Sequence, residues 1–290
     1  MPTAPYLTPQ ALHHFIASAL AEDVGDGDHS ALAAIPATAH NRARLLVKDA
    51  GVLAGVALAE LIFRQADPAL AVRVLLPDGS RVKSGDVALT VEGPARSILT
   101  AERLVLNCMQ RMSGIATLTA RLTALLVGTR ARLLDTRKTT PNFRVCEKWA
   151  VLIGGGVNHR FGLFDEIMLK DNHVDYAGSI GAAIAATHVY LRALGRALPI
   201  IVETRTLAEV EQVLAAHQAA GGITRILLDN MPPALLREAV ALVGGRLPLE
   251  ASGGITEATL AEVAATGVDY ISVGALTHSA PILDLSLKAF

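Results

Sequence analysis

From Ala131 onward, one pattern recurs six times: a short apolar run stops at a polar or charged residue, then gives way to a loop. The runs are Leu133-Leu134-Asp135, Ile167-Met168-Leu169-Lys170, Ile200-Ile201-Val202-Glu203, Ile226-Leu227-Leu228-Asp229, Leu247 through Glu250 to Ser252, and Tyr270-Ile271-Ser272-Val273-Gly274. Alanine- and leucine-rich stretches of helical period separate most of them, among them Leu207–Ala220, Ala234–Val243 and Glu257–Ala265. Strand alternating with helix in this way builds a parallel sheet through right-handed crossovers, which either closes into a barrel or opens into a doubly wound sheet. No GxGxxG follows the first strand, and functional-looking side chains stand at almost every strand end, so the barrel is the expected form.

The first part of the chain has another texture. A helix is expected over Pro9–Glu22 and strands over Arg42–Val47, Ala71–Leu76 and Val87–Glu92, with turns at Pro77-Asp78-Gly79 and Lys83-Ser84-Gly85-Asp86. A long helix over Ala101–Arg121 follows. The division expected is a mixed α/β domain over 1–112, a barrel domain over 113–276, and a terminal segment, 277–290, that packs back on the first domain.

With 290 residues, 51% of them apolar and 18% charged, the chain can bury a sizeable core, and its composition lies outside the regime of disorder; only the extreme N-terminus is expected to be disordered. A net charge of −1 supplies no global attraction for nucleic acid or an anionic membrane. The longest uncharged stretch, Tyr176–Leu191, is too short and too polar to span a bilayer, and the mean hydropathy of +0.40 reflects alanine and leucine. No basic and apolar leader opens the sequence, so a cytoplasmic address is expected. The two cysteines, Cys108 and Cys146, have no CxxC spacing and read as reduced core thiols.

Attraction for an acidic ligand must therefore be local. The run Asp135-Thr136-Arg137-Lys138-Thr139-Thr140 leaves the first barrel strand with two adjacent cations, one a planar fork for carboxylate or phosphate and one a mobile point charge. Gly154-Gly155-Gly156-Val157-Asn158-His159-Arg160 is either a backbone cradle for an anion or a tight turn before a surface His-Arg pair. Lys170, at the next strand end, reads equally as a Schiff-base nucleophile or as a charged clamp. Glu203 and Asp229 end neighbouring strands and suit Mg²⁺ bridged to substrate phosphates; the plainer alternative is that each pairs with a nearby cation. Ser252-Gly253-Gly254 and Gly274-Ala275 end the last two strands, where barrels bind phosphate through backbone amides, although glycines there also serve simple chain reversal.

These residues resemble the quinolinate phosphoribosyltransferase family over nearly the whole chain. The resemblance is carried by Glu22 through Asp28, Gly51 to Gly55, Glu102-Arg103, Leu106-Asn107, Gln110 to Thr117, Asp135 to Thr140, Gly154 to Arg160, Lys170 to His173, Ser252 to Gly254 and Ser272 to Ser279. It implies transfer of phosphoribose from phosphoribosyl pyrophosphate to quinolinate with decarboxylation, giving nicotinate mononucleotide for NAD biosynthesis, with Mg²⁺. It implies catalytic roles for Lys138, His159 and Lys170, and a quinolinate shell of Thr136, Arg137, Lys138, His159, Arg160 and Lys170. The same likeness puts Glu203 and Asp229 near the ribose hydroxyls and metal, directly or through water or substrate, and makes Ser252, Gly253, Gly254, Gly274 and Ala275 the 5′-phosphate cradle. The implied fold is an incomplete barrel of six or seven strands behind the mixed N-terminal domain. Two chains would form a homodimer in which Arg103 completes the partner's site, with room for higher assembly. The sequence departs from the commoner pattern at His29-Ser30, at Asn142 in place of glycine and at Trp149 in place of tyrosine; asparagine tolerates the left-handed backbone such a turn needs. A Schiff-base lyase using Lys170 and a non-catalytic anion-binding relative remain the alternatives.

Overall fold

The computed structural model describes residues 4–290, so the expected disorder of the extreme N-terminus falls mainly on residues outside it. Its strands in chain order are β1 His40–Val47, β2 Gly51–Val52, β3 Ala71–Val74, β4 Arg81–Val82, β5 Val87–Pro94, β6 Arg132–Leu134, β7 Ile167–Leu169, β8 Ile200–Thr204, β9 Ile223–Asp229, β10 Leu249–Ser252, β11 Tyr270–Ser272 and β12 Leu285–Ala289. The chain forms two compact units. One takes residues up to Arg121 with Lys138–Gly156 and Ala275–Phe290, and the other takes Leu122–Arg137 with Val157–Gly274.

The first unit holds an antiparallel sheet in the order β12-β1-β5-β3. The C-terminal strand pairs directly with β1, Leu45 opposite Leu287 and Val47 opposite Leu285, and these four side chains alternate into the core as period-2 strands require. The helix Pro9–Val24 begins where Thr8 accepts the Ala11 N–H and proline fills the first turn. The helix Val56–Ala66 is capped from a distance instead: Asp78 in the expected turn accepts from Val56 N at 2.8 Å and Ala57 N at 3.2 Å. Burial raises the Asp78 carboxyl above its ordinary value despite those bonds.

A 30-residue helix, Ala95–Ala124, runs through this unit. Arg111 on it donates through Nε and Nη2 to Glu147 Oε1, at 3.1 and 3.0 Å, and also to the carbonyls of Thr277 and Ala280. Glu147 lies on the buried helix Arg144–Ile153, an element the alternating pattern did not reveal. Cys108 and Cys146 are free and buried, and burial pushes the Cys108 thiol up to about 12, so both sit as inert core groups.

The second unit holds six parallel strands in the order β6-β11-β10-β9-β8-β7. The end strands β6 and β7 do not pair, so the sheet is open, and a single parallel bridge, Leu134 to Val157, adds one further rung beside β6. This is the incomplete barrel expected. Register decides what each face carries, because neighbours in a parallel sheet point the same way. One face bears Leu133, Leu169, Val202, Ile226, Leu228, Leu249, Ala251 and Ile271, all buried. The other face carries the sheet's charged side chains, interleaved with Leu134, Ile201 and Leu227. No described helix is long and apolar enough to cross a membrane.

Candidate active site

The charged face is fixed by strand pairing. Glu203 stands opposite Leu227, which stands opposite Glu250, and Asp229 lies two residues beyond Leu227 opposite Ser252. Glu203, Asp229, Glu250 and Ser252 therefore project from one side of three adjacent strands, joined by Arg225 and, on β11, by Tyr270 and Ser272. Leu169 pairs with Val202, so Lys170 falls beside Glu203; its Nζ lies 3.3 Å from Glu203 Oε2. A Schiff-base lysine works best as a free amine in an apolar pocket. Lys170 is instead about half exposed and faces a carboxylate, which suits a charged clamp.

Behind this rim lies a buried charge network. Arg225 places Nε 3.3 Å from Glu250 Oε2 and Nη2 3.4 Å from Glu166 Oε1, while its guanidinium covers the Tyr270 ring at 4.8 Å. Ser272 Oγ donates to Glu250 Oε1. Glu250 is fully buried; burial opposes its ionisation, but bonding to the His159 ring, the charge of Arg225 and the Ser272 hydroxyl outweigh it and hold the carboxyl below its ordinary value.

The segment after Val157 is tied down residue by residue. Asp135, buried at the end of β6, accepts from Asn158 Nδ2 at 2.7 Å and from His159 N at 2.8 Å. Asp165 accepts from the backbone of Phe161 and Gly162 at 2.6 and 2.8 Å, and Arg160 Nη1 donates to the Glu166 carbonyl at 3.1 Å. Arg160 is thereby held half-buried near a second guanidinium. Its proton affinity is lowered first by burial and then by the charge of Arg137. Arg137 Nε is itself buried with no hydrogen-bond partner. An unmet guanidinium donor on Arg137 and the charge of Arg160 suit an anion.

Of the expected site residues, Thr136, Arg137, His159, Arg160, Lys170, Glu203, Asp229, Ser252, Gly253, Gly254 and Gly274 all belong to the parallel-sheet unit. Lys138, Ala275 and Arg103 belong to the other, where Thr277 Oγ1 donates to the Lys138 carbonyl at 2.8 Å and Arg103 is exposed on the long helix. Gly253 has φ +93° and packs against the Asn230 side chain, while Gly254 has φ +62° and open space around it. Gly154 and Gly156 read otherwise than as a cradle: a Cβ on either would press on Ala116 or Thr119 of the long helix, so close packing accounts for them.

Among the described residues no cluster of three or more His, Cys, Asp or Glu is arranged to hold a metal. The pair Glu203 and Asp229 offers two carboxylates on one face, a donor set that fits Mg²⁺ when ligand phosphate oxygens and water complete the shell. Sequence reasoning passed over Arg225, Glu166 and the buried role of Glu250. For Arg225 and Glu250 the signal was a charge set inside strands that parallel sheets otherwise fill with apolar residues, whereas Glu166 stands in the loop just before β7.

Comparison with known proteins agrees with this architecture. The family model described as "Quinolinate phosphoribosyl transferase, N-terminal domain" matches residues 28–113, and its C-terminal counterpart matches 115–288. A tobacco (Nicotiana tabacum) protein named quinolinate phosphoribosyltransferase [decarboxylating] 2a, mitochondrial, is 48% identical over 281 residues, covering 93% of this chain and 80% of its own length. The crystal structure of NadC from Streptococcus pyogenes superposes with a TM-score of 0.90 at 40% identity, covering 100% of both chains. The nicotinate-nucleotide pyrophosphorylase of Francisella tularensis gives 0.89 at 35%, again over 100% of both chains.

Proposed function

We propose that this chain, which belongs to the quinolinate phosphoribosyltransferase family, is the enzyme that transfers phosphoribose from phosphoribosyl pyrophosphate to quinolinate and releases carbon dioxide. The products are nicotinate mononucleotide and pyrophosphate, on the route to NAD. The observation that carries this reading is the pair Arg137 and Arg160, two mutually repelling guanidiniums with an unpartnered buried Nε, which suits a small dicarboxylate.

In this reading Arg137 and Arg160 grip the quinolinate carboxylates, with Thr136, Lys138 and Lys170 completing the contact. The pyridine nitrogen attacks the anomeric carbon as its bond to pyrophosphate breaks, and positive charge builds on the sugar. The chain's part is chiefly to position the two substrates and to match that charge. Glu203 and Asp229 face the sugar hydroxyls and are the residues that would hold Mg²⁺, directly or through water. Bound there, Mg²⁺ would neutralise developing charge on the pyrophosphate oxygens. Once the ring nitrogen is cationic, the adjacent carboxylate leaves as carbon dioxide and its electron pair stays on the ring carbon, which takes a proton from Lys170 or water. Ser252, Gly253, Gly254, Gly274 and Ala275 receive the 5′-phosphate through backbone amides.

The likeness to the family supports a homodimer with Arg103 lent to the partner's site, open to further association. The free, buried thiols suit a reducing compartment such as the cytoplasm. The deciding assay mixes the purified chain with quinolinate, phosphoribosyl pyrophosphate and Mg²⁺ and follows nicotinate mononucleotide by ultraviolet absorbance. Product at the rate pyrophosphate is released supports the reading, and no product with both substrates saturating removes it. Glu203→Ala and Asp229→Ala should weaken the sugar-phosphate substrate more than quinolinate; equal losses for both would move those carboxylates out of the role.

A further inference from the structure

His159 was grouped above with the catalytic residues, yet both nitrogens of its ring already face the protein. The Arg160 backbone N–H donates to Nδ1 at 2.7 Å. A backbone amide can only donate, so the Nδ1 lone pair is taken and the ring proton sits on Nε2. Nε2 lies 3.3 Å from Glu250 Oε1. The ring is buried, 7% exposed, and Glu250 is wholly so.

The charged groups around the ring are Asp135, which accepts the His159 amide at 2.8 Å; Glu166, with Oε2 3.6 Å from Nδ1; and Glu250. Arg225 braces the last two, and Arg160 follows in the chain. An acid–base group must present a ring nitrogen to the reacting atoms. Here one nitrogen accepts from the main chain, and the other lies 3.3 Å from a carboxylate that Arg225 and Ser272 hold in turn.

We propose that His159 is a positioning residue: its Nδ1 fixes the Arg160 main chain, and Glu250, acting at Nε2, fixes the ring, so that the Arg160 guanidinium is aimed while His159 itself moves no proton. The proposal deepens the function proposed above and rests on it. It adds Glu250 and Arg225 to the residues that set quinolinate affinity without touching quinolinate.

The test compares two substitutions. Asparagine places a non-ionisable oxygen near the position of Nδ1, whereas alanine offers nothing. His159→Ala should raise the KM for quinolinate about tenfold, one lost hydrogen bond to a positioned group, with the KM for phosphoribosyl pyrophosphate little moved. His159→Asn should recover most of that loss and keep the wild-type pH–rate profile. If both variants instead lose kcat equally, by about 100-fold or more, and one limb of the pH profile disappears, His159 is an acid–base catalyst and the proposal falls.

A second measurement uses the wild-type protein labelled with ¹⁵N-histidine. The His159 ring, identified by the signal missing in His159→Asn, should show an unprotonated Nδ1 and a protonated Nε2, and Glu250→Gln should shift both. A protonated Nδ1, or ring signals indifferent to Glu250→Gln, overturns the anchoring. Should the wild-type protein form no nicotinate mononucleotide, the functional reading fails while the ring signals still report whether the anchor exists.

Discussion

Arg137 and Arg160 illustrate a cost accepted for function. Burial and repulsion from Arg137 act against the Arg160 charge, with Glu166 and Asp165 opposing them, and the Arg137 Nε forgoes a hydrogen bond, so stability alone does not account for the pair. Replacing either with alanine should remove a charge-assisted contact worth on the order of 2 to 4 kcal/mol of quinolinate affinity. Isothermal calorimetry with quinolinate measures it, and unchanged affinity in both variants would deny them the role. Arg137→Ala should leave the melting temperature unchanged or raise it, because it removes a repelling charge. Glu250 shows the opposite balance. Its ionised form is favoured in the folded protein, so its contribution is complete above its ordinary value of 4.5 and is lost as pH falls through the lower folded value. Urea unfolding across that acid window should show stability declining in the wild type and a shallower decline in Glu250→Gln; parallel curves would show that Glu250 is not a source of the acid sensitivity. Arg137, Lys138 and Lys170 were legible because charge stood at strand ends. Arg225 and Glu250 were not, since nothing in ITRILLD or LPLEAS says that two charges from different strands meet.

Among the elements, the six parallel strands were readable because each apolar run is short and ends on a charge or hydroxyl, and the observed strands fall on those runs. The helix Arg144–Ile153 was legible only as a helical-looking stretch around Cys146, without bounds, for its first residues have no side-chain cap and it follows Asn142, whose φ of +60° makes the turn. That left-handed asparagine is the conformation the sequence allowed for. The Ala95–Ala124 helix shows where propensity and packing disagree. Alanine at a helical glycine ordinarily gains about 1 kcal/mol. At Gly114, however, a Cβ would overlap the Pro281 carbonyl oxygen and lie 2.9 Å from its carbon and 3.0 Å from Ile282 Cα, all backbone that cannot swing aside. Overpacking of that kind costs about 1 to 3 kcal/mol, so packing wins and Gly114→Ala should be net destabilising. A raised denaturation midpoint would show the Pro281 segment yielding freely.

At the scale of the whole molecule, strand count alone does not decide between a closed barrel and an open sheet. Closure depends on whether the end strands pair, and β6 and β7 do not. The resemblance to the family, not the hydrophobic pattern, supplied the word incomplete. It likewise supplied Arg103, which stands exposed on a helix and looks from sequence like any solvated charge. If two chains share their sites as proposed, defects in Arg103 and in Lys170 fall on different protomers' contributions to one site. A hybrid of Arg103→Ala with Lys170→Ala would then contain one doubly damaged site and one intact site. Mixing the two inactive proteins under conditions that exchange subunits should restore roughly a quarter of wild-type activity, half of the dimers being hybrids with one good site each. If each chain builds its site alone, every site in the mixture keeps one defect, and the activity should stay at the level of the separate variants however long the subunits are left to exchange.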